Sequence, residues 1–223
     1  MARNKKPTPV TVAVFGLGRF GSTVAESLVR LGHEVLAVDE NRELVERFAD
    51  ELTHVVEADS TDDQALAQLG VAEFNSAVVA IGADIEASVL TVLALVEAGV
   101  PDIWAKAISR KHGKILESVG AHHVVYPESS MGGRVAHMLA GGMIDFIEFD
   151  DEFSIARTIA PQFTWDKTLA DSAPRTHHGV TVVGVKRSGE DFTYARPETE
   201  VRRHDHLIVS GPTNKVERFC TLR

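Results

Sequence analysis

Three glycines near the beginning of the chain have the spacing of a loop that binds phosphate. They are Gly16, Gly18 and Gly21, and they follow an apolar segment that starts at Val10. In such a loop the first glycine allows a tight turn, the second lets the backbone approach phosphate, and the third lets the next helix pack closely. An acid, Asp39, comes about 20 residues later, where it would accept hydrogen bonds from ribose hydroxyl groups. The pattern predicts a nucleotide site. A glycine turn without a ligand is disfavoured because the strand before the loop, the helix after it, the second strand and the acid are all present.

The acid and two nearby arginines bear on which nucleotide would bind. A 2′-phosphate would meet like charge at Asp39, so the pattern favours an adenosine nucleotide or NAD over NADP. Arg42 could receive such a phosphate, or it could be solvated on the next helix. Arg19 lies inside the glycine loop, where its guanidinium could bind phosphate oxygens or face solvent.

Short β-branched segments alternate with amphipathic helical patterns from Val10 to about Gly142. This alternation predicts the α/β class, with a Rossmann-like, doubly wound parallel sheet covered by helices on both faces. The predicted strands are 10–16, 34–39, 54–58, 76–81, 103–108 and 123–126. Because parallel strands end at a common edge, residues that follow them should line one crevice.

The pattern changes after a helix predicted at about 129–143. Short strands then alternate with turn residues such as Ser188-Gly189 and Gly211-Pro212, and a short helix reaches Phe219. We therefore expect a nucleotide-binding domain over residues 10–145 and a smaller α+β domain over residues 150–223.

Other residues at the ends of the predicted strands are expected in the same crevice. Asp59 follows the third strand, and the Ala80–Gly82 run follows the fourth. Lys106, in the apolar fifth strand, would either face solvent or reach the phosphates. Glu128, after the sixth strand, could cap the next helix or offer a carboxylate to a divalent cation, and the pattern alone favours the cap.

The composition argues against several classes of partner. The 223 residues carry a formal net charge of −9, which would repel nucleic acid and anionic lipid. No segment has the apolar length of a transmembrane helix, so we expect a cytosolic protein whose membrane role comes through a partner. The single cysteine, Cys220, fits a reducing compartment.

The residues of a catalytic centre are not recognisable. The chain has no serine-nucleophile motif and no lysine-bearing phosphate loop, and its three histidine pairs lack the spacing of a zinc site. The sequence therefore favours a protein that binds a nucleotide without turning it over. An NAD-dependent oxidoreductase is the alternative, since it would use the same loop; a nucleotide sensor that binds DNA is disfavoured by the acidic charge.

Several segments together resemble the regulator of potassium conductance (RCK) family, in particular the regulatory subunits of Ktr and Trk potassium uptake systems. Beyond the glycine loop, the resemblance includes the strand with Trp104, the Pro127-Glu128 turn, and two segments of the C-terminal part. The matching segments are 14–21, 32–39, 80–82, 103–107, 127–132, 182–187 and 206–211. The resemblance implies a cytosolic protein that gates a separate membrane potassium-translocating subunit and assembles as dimers in an octameric ring.

The resemblance also implies ligands and roles for individual residues. ATP and ADP, or NADH and NAD, would exchange at the loop; Asp39 would hold the ribose, and Arg19 would meet the terminal phosphate at a dimer boundary. Glu128 would help to coordinate a divalent cation, Mg²⁺ or Ca²⁺, and the C-terminal domain could bind cyclic di-AMP. The expected nucleotide-binding residues are Gly16, Gly18, Arg19, Phe20, Gly21, Asp39, Asp59, Ala80, Ile81, Gly82 and Lys106, with Glu128 as the metal ligand.

Overall fold

A computed structural model describes residues 9–150 and 152–222 of the chain. Its contacts divide the chain into two compact units, an N-terminal unit that ends at Glu128 and a C-terminal unit that begins at Ser129. None of the helices in the described part of the chain is long and apolar enough to cross a membrane.

The N-terminal unit is the predicted doubly wound sheet, which the structure confirms. All six strands are parallel, in the order β3-β2-β1-β4-β5-β6. The strands are β1 (Thr11–Phe15), β2 (Glu34–Asp39), β3 (His54–Glu57), β4 (Ser76–Val79), β5 (Ile103–Lys106) and β6 (His123–Val125). The helices between them are α1 (Arg19–Arg30), α2 (Arg42–Phe48), α3 (Asp63–Gln68), α4 (Ile85–Glu97) and α5 (Arg110–Ser118).

Alternate residues of the strands supply two separate cores, one on each face of this sheet. Val14 on one face packs with Phe48 of α2, and α1 covers the same face through Ala25. Phe15, the next residue along the strand, packs on the other face with residues of α4 and α5 such as Leu95 and Leu116. Because side chains of a strand alternate between faces, this apolar sequence requires helices on both sides.

The helix that follows the glycine loop begins differently from its neighbours. Side-chain oxygens of Asn41, Asp84 and Ser109 accept backbone hydrogen bonds at the starts of α2, α4 and α5. The residue before α1 is Gly18, which has no side chain to make such a bond. The first amides of α1 are therefore free of a side-chain cap and open to an external acceptor.

The C-terminal unit is the predicted smaller α+β domain. Its five-stranded antiparallel sheet has the order β11-β10-β13-β8-β7, and β12 pairs with β9. The strands are β7 (Asp145–Asp150), β8 (Phe153–Ile159), β9 (Lys167–Thr168), β10 (Thr181–Lys186), β11 (Phe192–Tyr194), β12 (Glu200–Val201) and β13 (His206–Pro212). The helices are α6 (Pro127–Gly141), which begins two residues before the unit does, α7 (Leu169–Ser172), α8 (Pro174–His178) and α9 (Thr213–Cys220).

The core of the C-terminal unit lies between its sheet and α9. Leu207, Val209, Val216 and Phe219 are fully buried there. Cys220 lies at the edge of the same core, and burial raises the pKa of its thiol to about 11. The thiol is therefore protonated at neutral pH and behaves as a small apolar group.

The boundary between the units lies one helix earlier than the break at 145–150 expected from the sequence. Most of α6 packs on the C-terminal unit: Arg134 pairs with Asp145, and His137 Nδ1 lies 2.6 Å from Glu217 Oε1 of α9. Met138 packs against the C-terminal core. The contacts of α6 decide its assignment, whereas its helical pattern is equally compatible with either unit.

Candidate functional site

A cavity of about 600 Å³ lies at the carboxyl edge of the parallel sheet, where β1, β2, β3, β4 and β5 end. We call it the glycine-loop cavity. It contains every nucleotide-binding residue expected from the sequence except Gly21, together with Glu128. Its lining residues are Gly16, Gly18, Arg19, Phe20, Val38, Asp39, Glu40, Asn41, Leu44, Ala58, Asp59, Ser60, Ala80, Ile81, Gly82, Ala83, Asp84, Ala87, Lys106, Ile108 and Glu128.

The three glycines of the loop have three different surroundings. Gly16 has φ of +94°, a left-handed conformation that favours glycine. A Cβ at Gly21 would lie only 1.8 Å from the carbonyl oxygen of Gly16, so Gly21 lies behind the loop, against its backbone, rather than in the wall of the cavity. A Cβ at Gly18 would meet nothing within 4 Å, which leaves backbone exposed to whatever occupies the cavity.

The carboxylate of Asp39 is held by the backbone at the end of β2. Its Oδ2 accepts a hydrogen bond from the Leu17 N–H at 2.6 Å, and its Oδ1 accepts one from the Asn41 N–H at 2.8 Å. A carboxylate oxygen can accept more than one hydrogen bond, so both oxygens can also accept from ribose hydroxyl groups. The two backbone bonds fix the direction in which the carboxylate faces the cavity.

The two arginines left open by the sequence have different surroundings. Arg42 pairs with Glu46 at 2.8 Å on the exposed surface of α2, one turn further along, and it does not line the cavity. The solvated alternative therefore describes Arg42. Arg19 does line the cavity, and its charge contributes to lowering the pKa of Glu128.

Lys106 points into the cavity rather than to bulk solvent. Its side chain is 13% exposed, and its Nζ lies 2.7 Å from Glu128 Oε1. The Nζ also lies 5.9 Å from the centre of the Phe20 ring. The hydrogen bond from Lys106 is the main cause that holds the pKa of Glu128 below its usual value. Lysine and arginine thus supply positive charge at the glycine-loop end of the cavity.

A second carboxylate is fixed where β3 ends. Asp59 Oδ1 accepts hydrogen bonds from the Thr61 hydroxyl at 2.7 Å and from the Thr61 N–H at 2.8 Å. These two bonds lower the pKa of Asp59, so it is ionised at neutral pH. Asp39 ends β2 and Asp59 follows the neighbouring strand β3, so this side of the cavity has acceptors for hydroxyl or amino groups.

Several lining residues were not among those expected from the sequence. They lie at the end of β2, just after β3 and β5, and at the starts of α2 and α4, and they are Val38, Glu40, Asn41, Leu44, Ala58, Ser60, Ala83, Asp84, Ala87 and Ile108. The available signal was their position just past a predicted strand end. No group of three or more His, Cys, Asp or Glu side chains within residues 9–150 and 152–222 could hold a metal ion by itself.

A second cavity, of about 440 Å³, lies in the C-terminal unit between α7, α8 and β10. Most of its wall is small and apolar, as at Ala170, Pro174 and Val180. Two guanidinium-bearing residues, Arg175 and Arg196, also line it. The chemistry fits an anionic ligand with a flat apolar part.

Comparison with known proteins identifies related sequences and folds. The TrkA-N domain family matches residues 12–127, and the TrkA-C domain family matches residues 166–222. The Ktr system potassium uptake protein A of Bacillus subtilis is 39% identical over 208 residues, which are 93% of this chain and 94% of that protein.

Solved structures of the GsuK channel share the fold. The GsuK channel bound to NAD matches 98% of this chain and 40% of that chain, with a TM-score of 0.68 at 22% identity. GsuK bound to ADP matches 61% of this chain and 36% of that chain, with a TM-score of 0.52 at 24% identity. This chain therefore spans less than half the length of the GsuK chains.

Proposed function

This chain belongs to the family of TrkA and Ktr potassium uptake proteins, and from that premise we propose that it is a nucleotide-binding regulatory subunit that controls a separate potassium-translocating protein in the membrane. The observation that carries the proposal is the glycine-loop cavity, in which a fixed carboxylate at Asp39 lies in the same pocket as the cations of Arg19 and Lys106. A nucleotide carries hydroxyl donors on its ribose and anionic charge on its phosphates, so it matches both the carboxylate and the cations.

The proposed ligands are adenine nucleotides, namely ATP, ADP or NAD(H). The Asp39 carboxylate would accept from the ribose, while the open backbone at Gly18 and the cations would face phosphate. The NAD and ADP complexes of GsuK support this assignment through the shared fold. NADP is disfavoured because its 2′-phosphate would meet the like charge of the Asp39 carboxylate.

A divalent cation such as Mg²⁺ or Ca²⁺ could accompany a nucleotide with two or more phosphates. Glu128 offers one carboxylate, and Mg²⁺ in nucleotide sites commonly takes one or two carboxylates, phosphate oxygens and several waters. The donor set thus fits a cation that arrives with the nucleotide, and Glu128 is the residue that would hold it. Bound there, the cation would neutralise charge between the carboxylate and the phosphates.

Assembly of several copies, as dimers that form an octameric ring beneath the membrane protein, is proposed from the resemblance to the RCK family, and exposed apolar side chains support an interface between copies. Large exposed apolar surfaces commonly mark protein–protein interfaces. Large apolar side chains are exposed on two helices: Ile85, Leu90, Leu93 and Val96 of α4, and Met131, Val135 and Leu139 of α6. The ring would be cytoplasmic and would reach the cell membrane through its pore partner. It would neither insert into the membrane nor bind nucleic acid.

Cyclic di-AMP is proposed as the ligand of the second cavity. A cyclic dinucleotide carries two phosphates and two flat bases, which match Arg175 and Arg196 and the apolar wall around them. This assignment is independent of the glycine-loop cavity, because the two cavities share no lining residue.

Regulation in this proposal requires only differential binding. A nucleotide shifts the arrangement of the copies when it binds one arrangement more tightly than another. ATP and ADP differ by one phosphate, so Arg19 and Lys106 are the residues that would distinguish them. The oxidoreductase alternative would require, besides the nucleotide, a catalytic acid or base beside the reacting carbon of a metabolite substrate.

The proposal is tested by calorimetric titration of the full chain with ATP, ADP and NAD. Asp39→Asn should weaken all three by at least about tenfold, the loss expected when a hydrogen bond to a charged acceptor is removed. Asp50→Asn removes the same charge at an exposed turn outside the cavity and should change nothing. Arg19→Ala should reduce the ratio of ATP to ADP affinity.

Three results would contradict the proposal. The first is no heat from any of the nucleotides with the wild type, and the second is an equal loss in Asp39→Asn and Asp50→Asn. The third is a change in the absorbance of NADH that depends on a metabolite substrate, which would favour the oxidoreductase instead.

A further inference from the structure

The ion pair between Lys106 and Glu128 is strongly asymmetric in exposure. The lysine side chain is 13% exposed, whereas the glutamate side chain is 63% exposed. A largely buried ammonium group needs a counter-ion, because burying an unpaired charge is unfavourable. An exposed carboxylate does not, since water solvates it well when it turns away. The Lys106 ammonium group therefore needs a nearby anion, whereas the Glu128 carboxylate can turn away into solvent.

Lys106 also lies close to two other residues of the cavity wall. A Cβ at Gly82 would lie 3.3 Å from Nζ, so the ammonium group lies directly against this glycine, and the Phe20 ring is 5.9 Å away. Both neighbours line the glycine-loop cavity. The ammonium group is thus held at the cavity wall with the Glu128 carboxylate on it, at a point where a phosphate of a bound nucleotide would also be attracted.

We propose that Glu128 is an intramolecular competitor for the phosphate-binding group Lys106, so that a nucleotide must displace its carboxylate and the nucleotide's affinity depends on how many phosphates it carries. This inference rests on the proposed function, because it concerns the same cavity. Carboxylate and phosphate are both anions, and they repel each other beside one ammonium group. Displacement becomes more favourable as the ligand's negative charge increases.

The competition gives Glu128 opposite effects with and without a divalent cation. With a cation between the carboxylate and the phosphates, removing the Glu128 carboxylate should weaken the binding of a nucleotide polyphosphate. With all divalent cations chelated, removing the Glu128 carboxylate should strengthen the binding of the same nucleotide, because Lys106 becomes available to bind phosphate. A residue that served only as a metal ligand would have no effect once the metal is removed.

The experiment is calorimetric titration of the full chain in EDTA with adenosine, AMP, ADP and ATP. Glu128→Gln keeps the shape of the side chain and removes its charge. We expect about fivefold tighter ATP binding, the change that corresponds to an ion pair worth ~1 kcal/mol, with a smaller gain for AMP and none for adenosine. Glu117→Gln, an exposed change of equal charge on α5 outside the cavity, should leave all four affinities unchanged.

A double variant separates competition for Lys106 from direct repulsion by Glu128. In a Lys106→Gln background, Glu128→Gln should increase the ATP affinity by less than half as much as the same substitution does in the wild type. The full gain in that background would show that Glu128 acts on the phosphate directly and would overturn the proposal. Melting temperatures close to that of the wild type would confirm that each variant is folded.

Two further outcomes keep this proposal separate from the proposed function. If the wild type binds ATP in EDTA but Glu128→Gln binds it equally or more weakly, the competition is wrong and nucleotide binding stands. If the wild type binds none of the nucleotides under any condition, the proposed function itself fails.

Discussion

The same substitution at two neighbouring glycines is predicted to damage different properties. In Gly21→Ala the new methyl group would lie 1.8 Å from the Gly16 carbonyl oxygen, and real Cβ atoms essentially never approach closer than 3.0 Å. The difference, 3.0 − 1.8, requires a movement of about 1.2 Å. Because the obstacle is backbone, α1 must shift away from β1. In Gly18→Ala the methyl group would meet nothing within 4 Å, and φ of −63° suits alanine.

The expected magnitudes follow from these distances. Overpacking that moves backbone should lower the stability of Gly21→Ala by about 3 kcal/mol, which for a chain of this size lowers the melting temperature by about 6–12 °C. Gly18→Ala should lose about 1 kcal/mol, since alanine is a poorer N-cap residue than glycine but meets no steric obstacle here. Its methyl group projects where a phosphate would approach, so ADP affinity should fall by at least about tenfold.

Thermal unfolding followed by circular dichroism gives the stability, and calorimetry with ADP gives the affinity. Gly132→Ala is a matched control, because Gly132 lies within α6 and a Cβ there would also meet nothing within 4 Å. It should be neutral or slightly stabilising and should bind ADP normally. The reasoning is refuted if Gly21→Ala has the melting temperature of the wild type. It is also refuted if Gly18→Ala has a much lower melting temperature but binds ADP as tightly as the wild type.

Two further predictions concern pH and the buried polar groups of the two units. Asp205→Asn should lower the stability of the C-terminal unit by about 3 kcal/mol at neutral pH, since Asp205 accepts two hydrogen bonds from Arg187 and one from the Arg202 N–H in a buried position. Burial alone would raise the pKa of Asp205, but these hydrogen bonds hold it below its usual value. The stabilisation by Asp205 is therefore present above about pH 4 and is lost at lower pH. Urea unfolding should show that the difference in stability between wild type and variant shrinks below that pH. Burial lowers the pKa of His112, so protonation favours the unfolded chain, and the stability of the N-terminal unit should fall as the pH drops below about 6.5. His112→Leu should reduce that acid sensitivity in urea unfolding at pH 7.5 and 5.5, and an unchanged pH dependence would argue against the role of His112.

The fold and the outline of the site could be predicted because they depend on local spacing. Three glycines, an acid and alternating apolar segments determine a turn, a helix packed on a strand, and a common sheet edge, and the structure confirms that architecture. The resemblance to the RCK family was likewise confirmed by the matching TrkA domains. Which residues bind the nucleotide stays a prediction, although the cavity brings all but Gly21 together.

Other features could not be predicted because they depend on contacts between distant segments. The direction of Lys106 requires knowing where β5 ends relative to Glu128, which is 22 residues later (128 − 106) in the sequence. The assignment of α6 depends on whether Met138 packs on one core or the other.

The burial of Cys220 makes the chain's one thiol an internal reporter. A thiol whose pKa is raised to about 11 reacts slowly with alkylating reagents unless the surrounding core opens. Its labelling rate therefore measures transient opening of the C-terminal unit without any engineered probe. The same burial keeps it from cross-linking neighbouring copies, so the subunit composition of the native assembly can be determined in the absence of reductant.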